Sequence, residues 1–163
     1  MKTGEAMDIR TGWNFDDQSE RDRAMNYIRR NKPTMVVGSP VKRMFSEMQT
    51  RTQWNRKRKA EYENAVRHIE FVTEIYKEQL QNGRYFLHVH PADATSWKLK
   101  AIVDMEREKD VFVTMADQCM YGLSTKCKGG GTEPTKRKTR FMTNAECVAD
   151  ELSRKCNGDH VHQ

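Results

Sequence analysis

The sequence has no run approaching the roughly 18 apolar residues of a membrane span. Its first residues, MKTGEAMDIR, carry no apolar stretch of the kind that directs export. Both absences predict an intracellular chain, cytoplasmic or nuclear, with no membrane partner. Cysteine is scarce: Cys119, Cys127, Cys147 and Cys156 show no CxxC spacing. Without an export signal they are expected to be reduced thiols. Internal repeats are absent as well. Apolar residues make up only 36% of the 163 and mean hydropathy is −0.94, so the expected core is modest. Trp, Tyr, Phe and Met nevertheless recur along the whole length, which excludes a fully disordered chain.

What the chain does have is positive charge in two places. The formal net charge is +6, and residues 41–60 carry seven cations, Lys42, Arg43, Arg51, Arg56, Lys57, Arg58 and Lys59, against the single acid Glu47. A second cluster, Lys126, Lys128, Lys136, Arg137, Lys138 and Arg140, faces only Glu133. Two basic islands in a near-neutral remainder predict a polyanionic partner, and nucleic acid fits that description; two solvated surface segments are the plainer alternative. Trp54, between Arg51 and Arg56, can stack on a base or pack on the following helix; its position in sequence leaves both open.

The order of elements alternates. A helix is predicted over Ser19–Asn31 with Ser19 as its cap and Pro33 beyond its end. TMVVG, bounded by Pro33 and Gly38, reads as a short strand. Residues Arg56–Asn82 hold Tyr62, Val66, Ile69, Val72, Tyr76 and Leu80 at three- and four-residue steps, the period of a long amphipathic helix that Gly83 ends. RYFLHVH (Arg84–His90) is a second strand, and a helix follows with Thr95 or Ser96 as its cap. DVFVTMADQCMYG is a third strand and KTRFMTN (Lys138–Asn144) a fourth, with a glycine-rich basic loop between them. A last helix is expected after Asn144 as cap. Residues 1–155 then form one domain and 156–163 a tail. Alternating helices and strands imply parallel strands joined by right-handed crossovers, with the site beyond their carboxyl ends.

In that order, MDIRTGWNF, VVGSPVKRMFS, RYFLHVHPADATSW and DQCMYGL with KRKTRFMTN resemble the later motifs of cytosine-5 DNA methyltransferases. They are most similar to a divergent methyltransferase-like module of phages and retroelement polyproteins. The resemblance implies an α/β fold, a truncated doubly wound, Rossmann-like methyltransferase sheet of four or five strands with helices on both faces. It also implies that Asp8 occupies the position whose carboxylate contacts the adenine of S-adenosylmethionine, and that Gly38-Ser39-Pro40 opens the catalytic loop. The position of the catalytic thiol is Lys42 and that of the catalytic carboxyl group is Val89, neither of which can perform those roles. The Gly-rich first motif for the cofactor has no counterpart in the seven residues before Asp8.

The expectation is therefore a catalytically degenerate, methyltransferase-like domain of a mobile element. It binds nucleic acid, DNA first, through a basic rim of Lys42, Arg43, Arg51, Arg56, Lys57, Arg58, Lys136, Arg137, Lys138 and Arg140, and has no resident cofactor. The alternatives are half of a split cytosine methyltransferase, which keeps S-adenosylmethionine, and a non-catalytic interaction module. A partner chain or self-association through an open sheet edge is part of the same expectation. His88 and His90 share a strand face and, with Cys156, His160 and His162, allow a metal site to be drawn. Because Cys156-x3-His160-x-His162 is not a standard zinc spacing, no metal is expected, and the histidines are assigned to the surface and rim. Asp117 and Cys119 share a face of the third strand, with Cys119 read as a half-buried structural thiol.

Overall fold

The computed structural model describes residues 2–46, 54–127 and 129–162. Helix α1, Gln18–Asn31, starts one residue earlier than the capping serine suggests. Asp17 is the cap, its carboxylate accepting from the Ser19 amide at 2.9 Å and taking the Ser19 hydroxyl as well. Ala24 and Ile28 are its buried face. Lys32 turns the chain into the left-handed region at φ 46°, after which strand β1, Met35–Gly38, begins.

Helix α2, Arg56–Gln81, is capped by the Asn55 side chain on the Arg58 amide; Asn82 is its C-terminal cap, and Gly83, with φ 66°, turns the chain beyond it. It buries two faces. Ile69, Val72 and Tyr76 join Phe86, Trp97, Ile102, Met105 and Met142 in the main core. Phe71 and Ile75 instead meet Trp13, Ala24 and Ile28, so α2 lies between the sheet and α1. A 26-residue helix is held here by burial on both sides and not by its intrinsic propensity.

Strand β2, Tyr85–Pro91, pairs parallel to β1 with Val36 opposite Phe86. A 3-10 turn, Thr95–Lys98, and the short helix α3, Lys100–Glu106, follow; neither Thr95 nor Ser96 caps the helix, whose N-terminus has no side-chain cap. Strand β3 spans Phe112–Asp117, shorter than its sequence suggests, because a 3-10 turn at Gln118–Tyr121 interrupts it; Cys119 therefore stands on that turn and not on the strand. The glycine-rich loop folds partly into a hairpin of β4, Ser124–Lys126, and β5, Thr132–Pro134.

The last strand, β6, Lys138–Thr143, gives the main departure from expectation. The sheet order is β1-β2-β6-β3, and β6 runs antiparallel to both its neighbours. β1, β2 and β3 thus share one direction, and the final strand is slotted between the second and third. The sheet is mixed, not wholly parallel. Its faces follow from the register. Phe86, His88 and His90 stand beside Met142 and Arg140, and this face is covered by α2 and α3. Thr114 and Phe141 are opposite each other on the other face. Helix α4, Glu146–Glu151, packs there, and the Thr114 hydroxyl donates to the Leu152 carbonyl at 3.4 Å. Helices accordingly cover both faces.

Asn144 does not cap α4. Its side chain imitates a peptide group, accepting from the Phe86 amide and donating to the Arg84 carbonyl, both at 2.9 Å, and so locks β6 to β2. Among the described residues β1 is paired on one side only, and Val37 on it is 62% exposed. No helix of the described residues is long and apolar enough to cross a membrane.

Candidate functional site

The carboxyl ends of β1, β2 and β3 define one rim. The loop after β1 carries Ser39, Pro40, Val41, Lys42 and Arg43 and closes in a 3-10 turn, Arg43–Phe45, that buries Met44 and Phe45. Phe45 meets Tyr62 of α2 with ring centroids 5.9 Å apart, and Trp54 packs on the same tyrosine at 4.8 Å. Trp54 thus takes the packing role. Because this aromatic chain fixes the start of α2 beside the loop, Arg56, Lys57 and Arg58 open on the rim too. Antiparallel β6 brings its beginning to the same end: Lys138 stands opposite Asp117, and the Lys138 carbonyl accepts from the Ala92 amide just after β2.

Lys42, Arg43, Arg56, Lys57, Lys136, Arg137 and Lys138 are all exposed, and Arg58 is half-buried. Arg140 differs from them. Its guanidinium lies 4.5 Å over the Trp97 ring and meets Glu106 at 2.8 Å, with 26% of its side chain exposed. It belongs to the fold, and Arg140→Gln is expected to cost about 1 kcal/mol of stability in urea unfolding. Arg51 lies outside the described residues.

Beneath the rim lies a buried polar chain. His88 and His90 are 0% and 1% exposed, which corrects the surface and rim assignment. The signal was present in the alternation, since both share the face of Phe86. The Tyr76 hydroxyl is 2.7 Å from His88 Nδ1. With tyrosine as the donor, His88 Nε2 is the one polar atom of this pair that lacks a partner, and burial pushes the phenol pKa well up so that its proton stays. Burial, helped by His90, lowers the His88 pKa to about 3. His90 Nε2 donates to the Pro40 carbonyl at 2.7 Å, leaving Nδ1 to accept the Ser96 hydroxyl at 2.7 Å. Its pKa is lowered by burial, with the charge of Lys42 acting in the same sense. Both imidazoles are neutral, and His90, through the Pro40 carbonyl, holds the loop from below.

Gly38 makes this possible. A Cβ there would stand 1.8 Å from the Tyr76 hydroxyl, so only glycine lets the buried phenol reach under the strand end.

The positions carried by the family resemblance lie on three separate parts of the chain. Lys42 is exposed in the loop. Val89 faces away from His88 and His90, opposite Phe141 on the other side of the sheet. Asp8 ends no strand; it caps a 3-10 turn, Ile9–Thr11, its carboxylate accepting from the Arg10 amide at 2.8 Å, while the Asp8 amide donates to the Thr11 hydroxyl.

A second group of chemically capable residues sits at the β3 end of the rim. Cys119, Cys156, His160 and His162 place one ligand atom each within 4.8 Å of one another. The tail that holds three of them is tied down. The Asp117 amide donates to the Arg154 carbonyl at 3.0 Å, and the Asp117 carboxylate accepts from the Cys156 amide at 2.9 Å. Burial raises the Cys119 thiol pKa, reinforced by Cys156 and Asp117. His88 and His90, the other two residues of the metal site drawn from the sequence, belong to the buried chain instead. Cys119, which sequence spacing could not connect to a tail beginning at Cys156, takes their place. Set beside known proteins, the chain matches no family model, no curated protein and no solved structure.

Proposed function

We propose that this chain is a catalytically degenerate, methyltransferase-like domain that binds nucleic acid, duplex DNA in the first instance, along the rim at the carboxyl ends of β1, β2 and β3. One observation carries the reading. Cations from opposite halves of the chain, Lys42, Arg43, Arg56 and Lys57 on one side and Lys136, Arg137 and Lys138 on the other, open on the same end of the sheet. Ligands of open α/β sheets bind at that end, and phosphate contacts need exposed Lys or Arg without further chemistry. Lys42 and Val89 at the thiol and carboxyl positions argue against methyl transfer, because an ammonium and an isopropyl group can neither add to a pyrimidine nor protonate it.

Fluorescence anisotropy with a short duplex tests the reading. Affinity is expected to fall steeply with salt. A Lys136→Gln, Arg137→Gln, Lys138→Gln triple variant should bind about 30-fold more weakly at low salt, with the salt slope reduced by about 2–3. Arg140→Gln should bind as the parent does, its charge being spent on Glu106. Salt-insensitive binding, or a triple variant with parental affinity, would overturn the proposal.

The one-sided pairing of β1 favours a second reading, in which a partner chain or a second copy adds strands there and completes a split methyltransferase. Calorimetric titration with S-adenosylmethionine separates the two. Heat of binding from this chain, alone or with a copurifying partner, would favour the split enzyme.

A further inference from the structure

We infer that Cys119, Cys156, His160 and His162 form a zinc site of the closed, structural kind, which staples the C-terminal tail to the end of β3. The inference does not rest on the nucleic-acid reading.

The donor set is the first argument. Two thiols and two imidazoles with ligand atoms gathered within 4.8 Å are a four-ligand set suited to tetrahedral zinc, and no fifth protein group or open position is needed. The spacing of the atoms is the second. Zn–S near 2.3 Å and Zn–N near 2.05 Å at tetrahedral angles place sulfur and nitrogen about 3.6 Å apart. Cys156 Sγ lies 3.7 Å from His160 Nε2 and 3.4 Å from His162 Nε2. The two rings are 4.6 Å apart at 76°, each turning its Nε2 to the same sulfur.

The supporting contacts are the third argument. His160 Nδ1 donates to the Asp159 carboxylate at 2.6 Å, which fixes the tautomer that leaves Nε2 bare for a metal and makes it a stronger donor. The Gly158 amide points at Cys156 Sγ from 3.4 Å, the kind of N–H contact that stabilises a thiolate. Gly158 adopts φ 79°, and this turn returns His160 and His162 to the cysteine that precedes them. On the other side, the buried Asp117 carboxylate orients Cys156 through its amide, while Cys119 arrives on the 3-10 turn directly after Asp117. The nonstandard spacing within the tail is thus accounted for: the fourth ligand comes from the 3-10 turn that follows β3.

Zinc binding would release the thiol protons, Zn²⁺ with two thiolates being neutral overall, and no oxidant or reductant is required. A tail of a few residues with little apolar surface would gain its fixed position from the metal.

The test uses the full chain, reduced and freed of metal, titrated with cobalt and then with zinc. One equivalent of cobalt should give the intense visible bands of a tetrahedral thiolate site, and zinc should abolish them. Cys119→Ser and Cys156→Ser should each weaken binding by roughly 100-fold or more, and Cys147→Ser, on the exposed face of α4, should change nothing. Parental protein supplies two readouts that survive misfolding of the variants. With zinc bound, two of the four thiols should resist a thiol reagent until chelator is added, and chelator should lower the Tm by about 5–10 °C. Absence of stoichiometric cobalt binding, equal loss in Cys147→Ser, four equally reactive thiols in zinc, or a Cys119–Cys156 disulfide in freshly isolated protein would each overturn the inference.

Discussion

Gly38→Ala should destabilise the protein by about 3–5 kcal/mol, seen as a lower urea midpoint with an unchanged m-value. The added methyl group would stand 1.8 Å from the Tyr76 hydroxyl and 2.8 Å from the ring carbon bearing it. A flexible side chain would yield to such an intrusion, but Tyr76 is fully buried and stacked on Phe86 with centroids 4.5 Å apart. Either β1 moves away from α2 or the phenol abandons His88, and both undo the packing under the rim. Tyr76→Phe in the same chain should restore only part of the loss, since it removes the nearer contact and leaves the farther one. A cost below about 1 kcal/mol for Gly38→Ala would show that the phenol and strand do not approach so closely.

The second large effect is on acid stability. His88 is neutral in the folded protein down to about pH 3, whereas in the unfolded chain it titrates near its ordinary 6.5. Its folded pKa lies below the unfolded one, so stability is whole above pH 6.5 and drains away as pH falls, until the folded group also takes a proton near 3. Between pH 7 and pH 4 that amounts to about 3 kcal/mol from this one residue. The comparison that isolates it is Tyr76→Phe with His88→Leu, which removes both members of the buried pair. At pH 7 the double variant should lie within about 2 kcal/mol of the parent. Its stability should then decline less on acidification by about the amount given for His88. Parallel pH profiles for the two proteins would remove His88 as the acid-sensitive group. His90, present in both, cancels.

Much of the fold was legible because burial writes a period into the sequence. The long helix was readable from Ile69, Val72 and Tyr76, and its observed span differs from expectation by one residue. Strand β2 was readable from its bounds at Gly83 and Pro91. The direction of β6 was not, because the twenty residues between β3 and β6 are as long as a crossover, and only a tight turn would have marked an antiparallel return. Asn144 and Ser19 looked like helix caps on local chemistry, yet Asn144 is taken up by a contact to β2 and Asp17 caps the helix that Ser19 was assigned to. At the site, the order of elements already led to one basic rim for both islands; what it did not give is that β6 reaches that rim with its beginning, because the strand runs backwards. The cysteine–histidine cluster was legible only in its tail half; Cys119 reaches it through the end of β3, a relation no spacing records.

The place of β6 also has a consequence for the order in which the molecule can be made. During synthesis β1, β2 and the helix between them emerge first and can pair, but β3 emerges with no neighbour. Among the described residues its only partner in the sheet is residues 138–143, which follow it from the ribosome. Until then the edges of β2 and β3 that β6 will join are both bare, with Val113 and Met115 on β3 still 40% and 42% exposed even in the finished protein. Completion of the sheet is therefore a late, single event that joins two waiting halves through one strand. A nascent chain halted between β3 and β6 would carry two sticky edges, which makes this the interval in which the protein most needs a chaperone.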